Sequence, residues 1–364
     1  MGAWTRSRRN EWPVLSVVSL LAASYLSGMN ASLKTPGARQ LPEIPVIDLG
    51  QGDTAELARR ERHRAAALLG IGHASYPGWA LAYGDKRSRR WLAKQSNPYL
   101  REIDEIAAEL GAPGAHLLNI SYEWACTTGA HRERYREGCR LLRVLDWPLP
   151  GLGRHVVVAR QQGVAGPWLN VTWPGFVGTL TAMAPGRFAA AFNQPPLRRR
   201  TGLMLADWLV DRINVGRSRA LPPAHLLRQV FEQAADFAEA KRMIAEIPLC
   251  LPAFFVLSGT KPHEAVVIER LENRAFIHDA PAAISNHFLA PRIPGMARGS
   301  ESGTRRRMML EALDRGARDF DWLQPPVLNS ETRLAVEANA GTGELLVWGF
   351  EPDGPATRQL RLAA

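Results

Sequence analysis

Hydrophobic and polar positions along the chain change period several times, and each change marks an element. Residues 30–56 are punctuated by Pro and Gly, with one apolar run, Ile44–Leu49, that predicts a strand. Thr54–Leu69 carries helix formers and no breaker, so an amphipathic helix is predicted there. A second helix is predicted over Asn97–Leu110, whereas Leu117–Ala125 fits a helix or a buried strand. From Cys126 onward the pattern shifts to apolar runs divided by turn residues. These predict strands at Leu141–Leu145, His155–Ala159, Trp168–Thr172, Phe176–Ala182 and Phe188–Phe192. Helical patterns return over Gly202–Ile213 and Ala224–Ile247. Strands follow at Ala253–Leu257, Ala265–Arg270 and Ala275–His278. A helix over Arg305–Gly316 then precedes strands at Thr332–Ala338 and Glu344–Phe350. Strands, then helices, then strands fit an α+β fold of two sheets with helices stacked outside them.

Composition narrows this picture. At 364 residues, 46% hydrophobic and 22% charged, the chain has the material for a sizeable core in one large domain or two modest ones. Collagenous, coiled-coil and disordered classes are excluded. The net charge is +10, yet only five of the 45 basic residues are Lys, so Arg dominates. The Arg clusters are short (Arg6, Arg8 and Arg9; Arg198 to Arg200; Arg305 to Arg307) and do not mark one face, so nucleic acid is not expected as a partner. Cys126, Cys139 and Cys250 form no CxxC or zinc spacing, and the nine His residues are scattered. No metal is expected. A basic start precedes an apolar stretch, Trp12 to Gly28, which is short for a membrane span and leaves cytoplasmic, exported and membrane-tethered locations open.

The common motifs are missing: no Walker loop, no full GxGxxG, no HExxH and no GxSxG. What stands out is Cys126 followed by Thr127 and Thr128, where helical sequence gives way to strand sequence. A lone Cys is either a buried small hydrophobe or a nucleophile. Nearby, RVLDWP (143–148) places Arg143 and Asp146 in an apolar stretch. Such charges are costly to bury unless paired, so they form an ion pair or the walls of a site.

The stretch NISYEWACTT (119–128) resembles the segment around the nucleophile of acid ceramidase and N-acylethanolamine acid amidase, N-terminal-nucleophile hydrolases related to the choloylglycine hydrolases. Similar segments follow in order: RVLDWP, WPGFVGTLTAMAPGRFAAAFNQ (173–194), LPAFFVLSGTKPHEAVVIER (251–270), SNHF (285–288), TRRR (304–307) and PPVLN (325–329). Together they cover roughly residues 100 to 352. The resemblance implies a four-layer αββα sandwich preceded by a mostly helical segment. Residues 1–30 would be a signal, anchor or disordered segment, residues 31–125 the helical part, and residues 126–364 the catalytic part.

The resemblance also implies chemistry. The precursor would cleave itself between Ala125 and Cys126, leaving thiol and α-amine on one residue. Cys126 would then attack the linear amide of an N-acyl, lipid-like small molecule and pass through an acyl-thioester. Asp146 matches the Asp that holds the freed amine, Arg143 the Arg beside the thiol, and Asn286 the oxyanion-hole Asn. Arg305 matches a late Arg, with Arg306 a one-residue alternative. Asn193 and Gln194 fall where the family lines its site, and Trp173 and Phe176 are candidates for substrate contact. Phe176, with Val177, Phe254 and Phe255, would furnish an apolar acyl pocket. No cofactor is required, and the N-terminal segment would stay associated as a subunit after cleavage. The sequence departs from the family at Leu142, Val144 and Gln194, where Gly, Asn and an acid are usual. An acyltransferase, or an unprocessed lipid-binding protein with a peripheral membrane contact, are the alternatives on the same fold.

Overall fold

The computed structural model describes residues 41–121, 124–134, 136–291 and 293–363, with the side chain of Met204 excepted. The stretch from Trp12 to Gly28, and with it the expectation for residues 1–30, lies outside the described residues. Among the described residues, no helix is long and apolar enough to cross a membrane.

Two large sheets form the centre. The first joins, in spatial order, β1 (Val46–Gly50), β4 (Val157–Gly163), β5 (Gly166–Thr172), β6 (Thr181–Ala184), β7 (Phe188–Asn193), β9 (Ala253–Gly259), β10 (Ala265–Arg270) and β11 (Ala275–Asp279). The second joins β12 (Ala282–Ile284), β2 (Ala125–Arg132), β3 (Cys139–Asp146), β14 (Thr332–Asn339), β15 (Glu344–Glu351) and β16 (Gly354–Pro355), with β17 (Leu360–Leu362) also on β15. A small pair, β8 (Leu197–Arg198) and β13 (Gly295–Met296), stands apart from both.

Side chains alternate across a strand, and the sequence uses that period to separate two surfaces of each sheet. In β7, FAAAFN puts Ala189 and Ala191 on the face toward the second sheet, where small side chains let the sheets approach. Phe188 and Phe192 take the other face. Phe188 packs at 4.7 Å on Phe231, which also stacks on Trp168 at 5.3 Å. Phe231 belongs to the helix Pro223–Gln233, which together with Phe237–Glu246 covers the first sheet. Against the outer face of the second sheet lies the helix Ser302–Arg315, whose Met309, Ala312 and Leu313 meet Leu142, Val144 and Leu346. Gly129 allows this contact, since a Cβ there would lie 2.8 Å from Leu313 and Met309. The layers therefore run helix, sheet, sheet, helix, the order expected from the sequence.

Among the described residues, five helices precede β2: α1 (Thr54–Arg60), α2 (Arg62–Ser75), α3 (Gly78–Lys94), α4 (Leu100–Leu110) and α5 (Ala115–Asn119). The later helices are α6 (Met204–Arg217), α7 (Pro223–Gln233), α8 (Phe237–Glu246) and α9 (Ser302–Arg315). A buried ion pair ties the first group to the sandwich. Arg228 of α7 donates through both terminal nitrogens to Glu102 of α4, each at 2.8 Å, and its guanidinium lies 4.3 Å from the Tyr99 ring.

Four readings are corrected. The single helix predicted over Thr54–Leu69 is two, Thr54–Arg60 and Arg62–Ser75, divided at Glu61. The strand predicted over Phe176–Ala182 begins only at Thr181, because Asn119 serves the backbone of the preceding residues, accepting from Val177 N at 2.7 Å and donating to Gly175 O at 2.8 Å. The helix predicted over Ala224–Ile247 is two helices. Asp236 restarts the second by accepting from Glu239 N at 2.8 Å, while Glu239 accepts from Ala235 N at 2.9 Å. Leu117–Ala125 is neither one helix nor one strand: α5 ends at Asn119 and β2 starts at Ala125.

Candidate active site

Cys126 is the second residue of β2, and the strand's alternation sends its thiol into the space between the sheets. Arg143 of β3 shares that face. Its Nη2 lies 3.3 Å from the Cys126 sulfur, and its Nη1 donates to Phe192 O at 2.9 Å and Asn193 Oδ1 at 3.0 Å. Asn193 also accepts from Thr128 Oγ1 at 2.7 Å, so one side chain from the first sheet fixes two from the second.

The other groups approach the main chain of Cys126 instead. Its N–H donates to Asn286 Oδ1 at 2.9 Å, and its carbonyl accepts from Arg305 Nη1 at 2.9 Å. Arg305 Nη2 reaches the same Asn286 oxygen at 3.1 Å. Asp146 lies 3.6 Å from Arg305 Nη1 and accepts from Thr332 Oγ1 at 2.8 Å. Asn286 is held in turn: its Nδ2 donates to Gln194 O at 2.7 Å, and its backbone N–H to Ser302 Oγ at 2.9 Å. The arrangement divides the labour, with Arg143 addressing the thiol and Asn286 and Arg305 addressing the amide nitrogen and carbonyl of the same residue.

Cys126, Arg143, Asp146, Asn286 and Arg305 are all buried, no residue of the five more than 1% exposed. Burial pushes the Cys126 thiol up to about 11; Arg143 and, more weakly, Arg305 and the Gln194 N–H pull it down, and Asp146 raises it. Burial also pushes Asp146 up to about 6, against the opposing pull of Arg305 and hydrogen bonds from Thr332 and Asn329. In the uncleaved chain the nucleophile is therefore a thiol at neutral pH, beside an arginine that favours thiolate.

The structure brings Cys126, Arg143, Asp146, Asn286 and Arg305 together, with Asn193 and Gln194 in contact. Of the neighbours in TRRR, Arg305 reaches Cys126, whereas Arg306 turns away to Ala283 O at 2.9 Å. Trp173 and Phe176 stand elsewhere. They line an apolar pocket, open to solvent on one side, between α2, α4, α5 and the residues around Trp147. Trp147 joins this cavity to the site, packing at 4.9 Å on Trp124, two residues before Cys126. Val177, Phe254 and Phe255 do not line it: Val177 packs among the N-terminal helices, and the two Phe residues sit in the core. Sequence reasoning missed Ser302, Thr332 and Asn329. Asn329 closes the quoted segment PPVLN, and that was the available signal.

No protein-family model matches the chain. It is 28% identical over 261 residues to the N-acylethanolamine-hydrolyzing acid amidase of Oryctolagus cuniculus, an alignment covering 70% of this chain and 65% of that protein. Over 99 residues it is 32% identical to the acid ceramidase of Heterocephalus glaber, covering 27% of this chain and 24% of the other. Its homologues are acid amidases and acid ceramidases. The chain thus spans less than two thirds of the length of these relatives. Among solved structures it is similar to a Caenorhabditis elegans N-acylethanolamine-hydrolyzing acid amidase ortholog, with 19% identity, a TM-score of 0.48, and coverage of 65% of this chain and all of that one.

Proposed function

We propose that the chain is a self-processing cysteine amidohydrolase that cleaves the linear amide of N-acyl, lipid-like substrates. The observation that carries the reading is the environment of Cys126. Its thiol sits on Arg143, while its amide nitrogen and carbonyl are held by Asn286 and Arg305.

In the processing step the Cys126 sulfur adds to the Ala125 carbonyl carbon. The bond from that carbon to Cys126 N breaks as the nitrogen takes a proton, leaving a thioester. Water hydrolyses it to the Ala125 carboxylate and a Cys126 that bears thiol and free amine. That amine, with an ordinary pKa near 8, then accepts the thiol's proton in each turnover. Asn286 already faces this nitrogen, and Asp146 lies close enough for its charge to act on Cys126. Substrate attack repeats the sequence: the amine product leaves, and water releases the acid. One N–H of Asn286 Nδ2 is spent on Gln194 O, which leaves its second for the developing oxyanion, worth roughly 3 kcal/mol in comparable sites. The apolar cavity at Trp173 and Phe176 supports an acyl chain as the group retained on sulfur.

The test is intact mass and denaturing gel analysis of wild type beside Cys126→Ala, after incubation at pH 4.5 and pH 7. Wild type is expected to yield fragments ending at Ala125 and starting at Cys126, with the variant whole. Wild type that stays intact at both pH values overturns the reading.

A further inference from the structure

Asn286 has to be aimed twice. Its Oδ1 takes the Cys126 N–H, and the second N–H of its Nδ2 is the one left for the oxyanion in the reading above. Yet it lies outside regular structure, two residues past β12, a three-residue strand paired to β2 through Ala282, Ala283 and Ile284. A side chain on such a turn keeps a productive direction only if the backbone on both sides is fixed, because an error of about 1 Å at a reacting group costs roughly a hundredfold in rate. On the entry side the site itself supplies the fixing groups. Asn193 Nδ2 donates to Ile284 O at 3.3 Å, and Ser302 Oγ accepts from Asn286 N.

On the exit side the holding group is a carboxylate from the other sheet. Glu269 of β10 is 1% exposed; its Oε1 accepts from Leu289 N and its Oε2 from Ala290 N, each at 2.7 Å. His278 Nε2 of β11 donates to the same Oε2 at 2.7 Å. Val267 pairs with His278, and Glu269 with Phe276, so Glu269 and His278 share one face of the sheet. A carboxylate accepts at both oxygens, whereas an amide of the same shape has a donor at one end. The chain uses this device a second time. Glu337 of β14, fully buried, accepts from Asp319 N at 3.1 Å, Phe320 N at 2.6 Å and Trp322 Nε1 at 2.8 Å, and it pairs with Arg140 at 3.1 Å. The two clamps differ in what they hold. The turn at Asp319 and Phe320 carries none of the groups around Cys126, while Asn286 lies three residues before Leu289.

We propose that Glu269 is a positioning residue for Asn286: by clamping Leu289 N and Ala290 N it holds the turn after β12 so that Asn286 stays directed at Cys126 and the oxyanion. The assignment rests on the amidohydrolase reading above. Glu269 acts through the backbone of Leu289 and Ala290 and not on the substrate. Because β10 belongs to the first sheet and β12 to the second, the clamp ties the direction of the oxyanion donor to the packing of one sheet on the other. His278, partly exposed, orients the carboxylate from the neighbouring strand.

The experiment compares wild type, Glu269→Gln and Glu337→Gln after self-cleavage, with N-lauroylethanolamine as substrate and rates expressed per cleaved chain. Gln at either position sets an amide N–H against a backbone N–H, so both variants should melt several degrees below wild type. Only Glu269→Gln should lose turnover. Its kcat is expected to fall about tenfold or more with KM within about twofold, whereas Glu337→Gln should keep kcat within about twofold of wild type. Hydrogen exchange should show residues 285–290 losing protection in Glu269→Gln alone. A kcat that Glu269→Gln leaves unchanged, or that both variants lower equally, overturns the positioning role while leaving the amidohydrolase reading standing. Wild type that cleaves neither itself nor the amide overturns that reading, and the role with it. A Glu269→Gln that folds yet stays uncleaved, beside a cleaved Glu337→Gln, supports the role, since Asn286 Oδ1 also holds Cys126 N. If Glu269→Gln fails to fold, His278→Leu decides, having removed one donor to the same carboxylate. A kcat lower by about threefold at unchanged KM supports the clamp, and an unchanged kcat overturns it.

Discussion

Asp146 is a carboxylate whose ionisation the fold opposes, and this makes a stability prediction with a defined sign. Burial lifts it from an ordinary 3.8 to about 6, despite Arg305 at 3.6 Å and the hydrogen bond from Thr332. The native state then holds its proton more tightly than the unfolded chain does. Its contribution to stability is fully present below pH 3.8 and is lost as pH rises through about 6. A shift of about two units is worth roughly 3 kcal/mol. Asp146→Asn keeps an acceptor for Thr332 and removes the charge. In a Cys126→Ala background, which prevents cleavage from changing the species, Asp146→Asn should be more stable than its parent by about 2–3 kcal/mol at pH 7.5. The gain should shrink to near zero at pH 4. Urea unfolding at both pH values measures it. A variant less stable at pH 7.5, or an offset independent of pH, would refute the reasoning and mean that Arg305 holds Asp146 ionised throughout.

The buried ion pair between α4 and α7 gives a second prediction. Glu102→Gln takes the carboxylate from the two terminal nitrogens of buried Arg228, leaving it only Glu232 on Nε at 2.7 Å, and should cost about 2 kcal/mol in urea unfolding, whereas the paired change Glu102→Met with Arg228→Met should cost less than the single one. The third concerns Gly153, where a Cβ would fall 1.9 Å from the Phe350 carbonyl oxygen, a backbone atom of β15. Gly153→Ala should lower stability by about 3 kcal/mol or more, while Gly70→Ala in α2, with nothing within 4 Å, should raise it by about 0.5–1 kcal/mol; thermal melts compare them.

Much of the architecture was legible because most strands of the two sheets announce themselves as apolar runs between turn residues, and most helices by their apolar faces. The failures were local and have chemical causes. An apolar run such as Phe176–Ala182 reads as a strand, yet its backbone polar groups are satisfied by the side chain of Asn119, 58 residues earlier than Val177. Nothing in the run itself records that partner. The break inside Ala224–Ile247, by contrast, was written in the sequence. Asp236 caps the Glu239 N–H, and Glu239, three residues on, reaches back to Ala235 N, a pairing close to a capping box and overshadowed by the helix formers around it.

The candidate site divides along the same line. Arg143 and Asp146 draw notice from the sequence because burying a charge is costly, and their odd and even positions already place them on opposite faces of β3. That parity fits what the structure displays: Arg143 on the thiol, and Asp146 beside Arg305, which binds the backbone. Asn286 and Arg305 lie 160 and 179 residues beyond Cys126, and no periodicity links them to it. Only the resemblance to a family selected them.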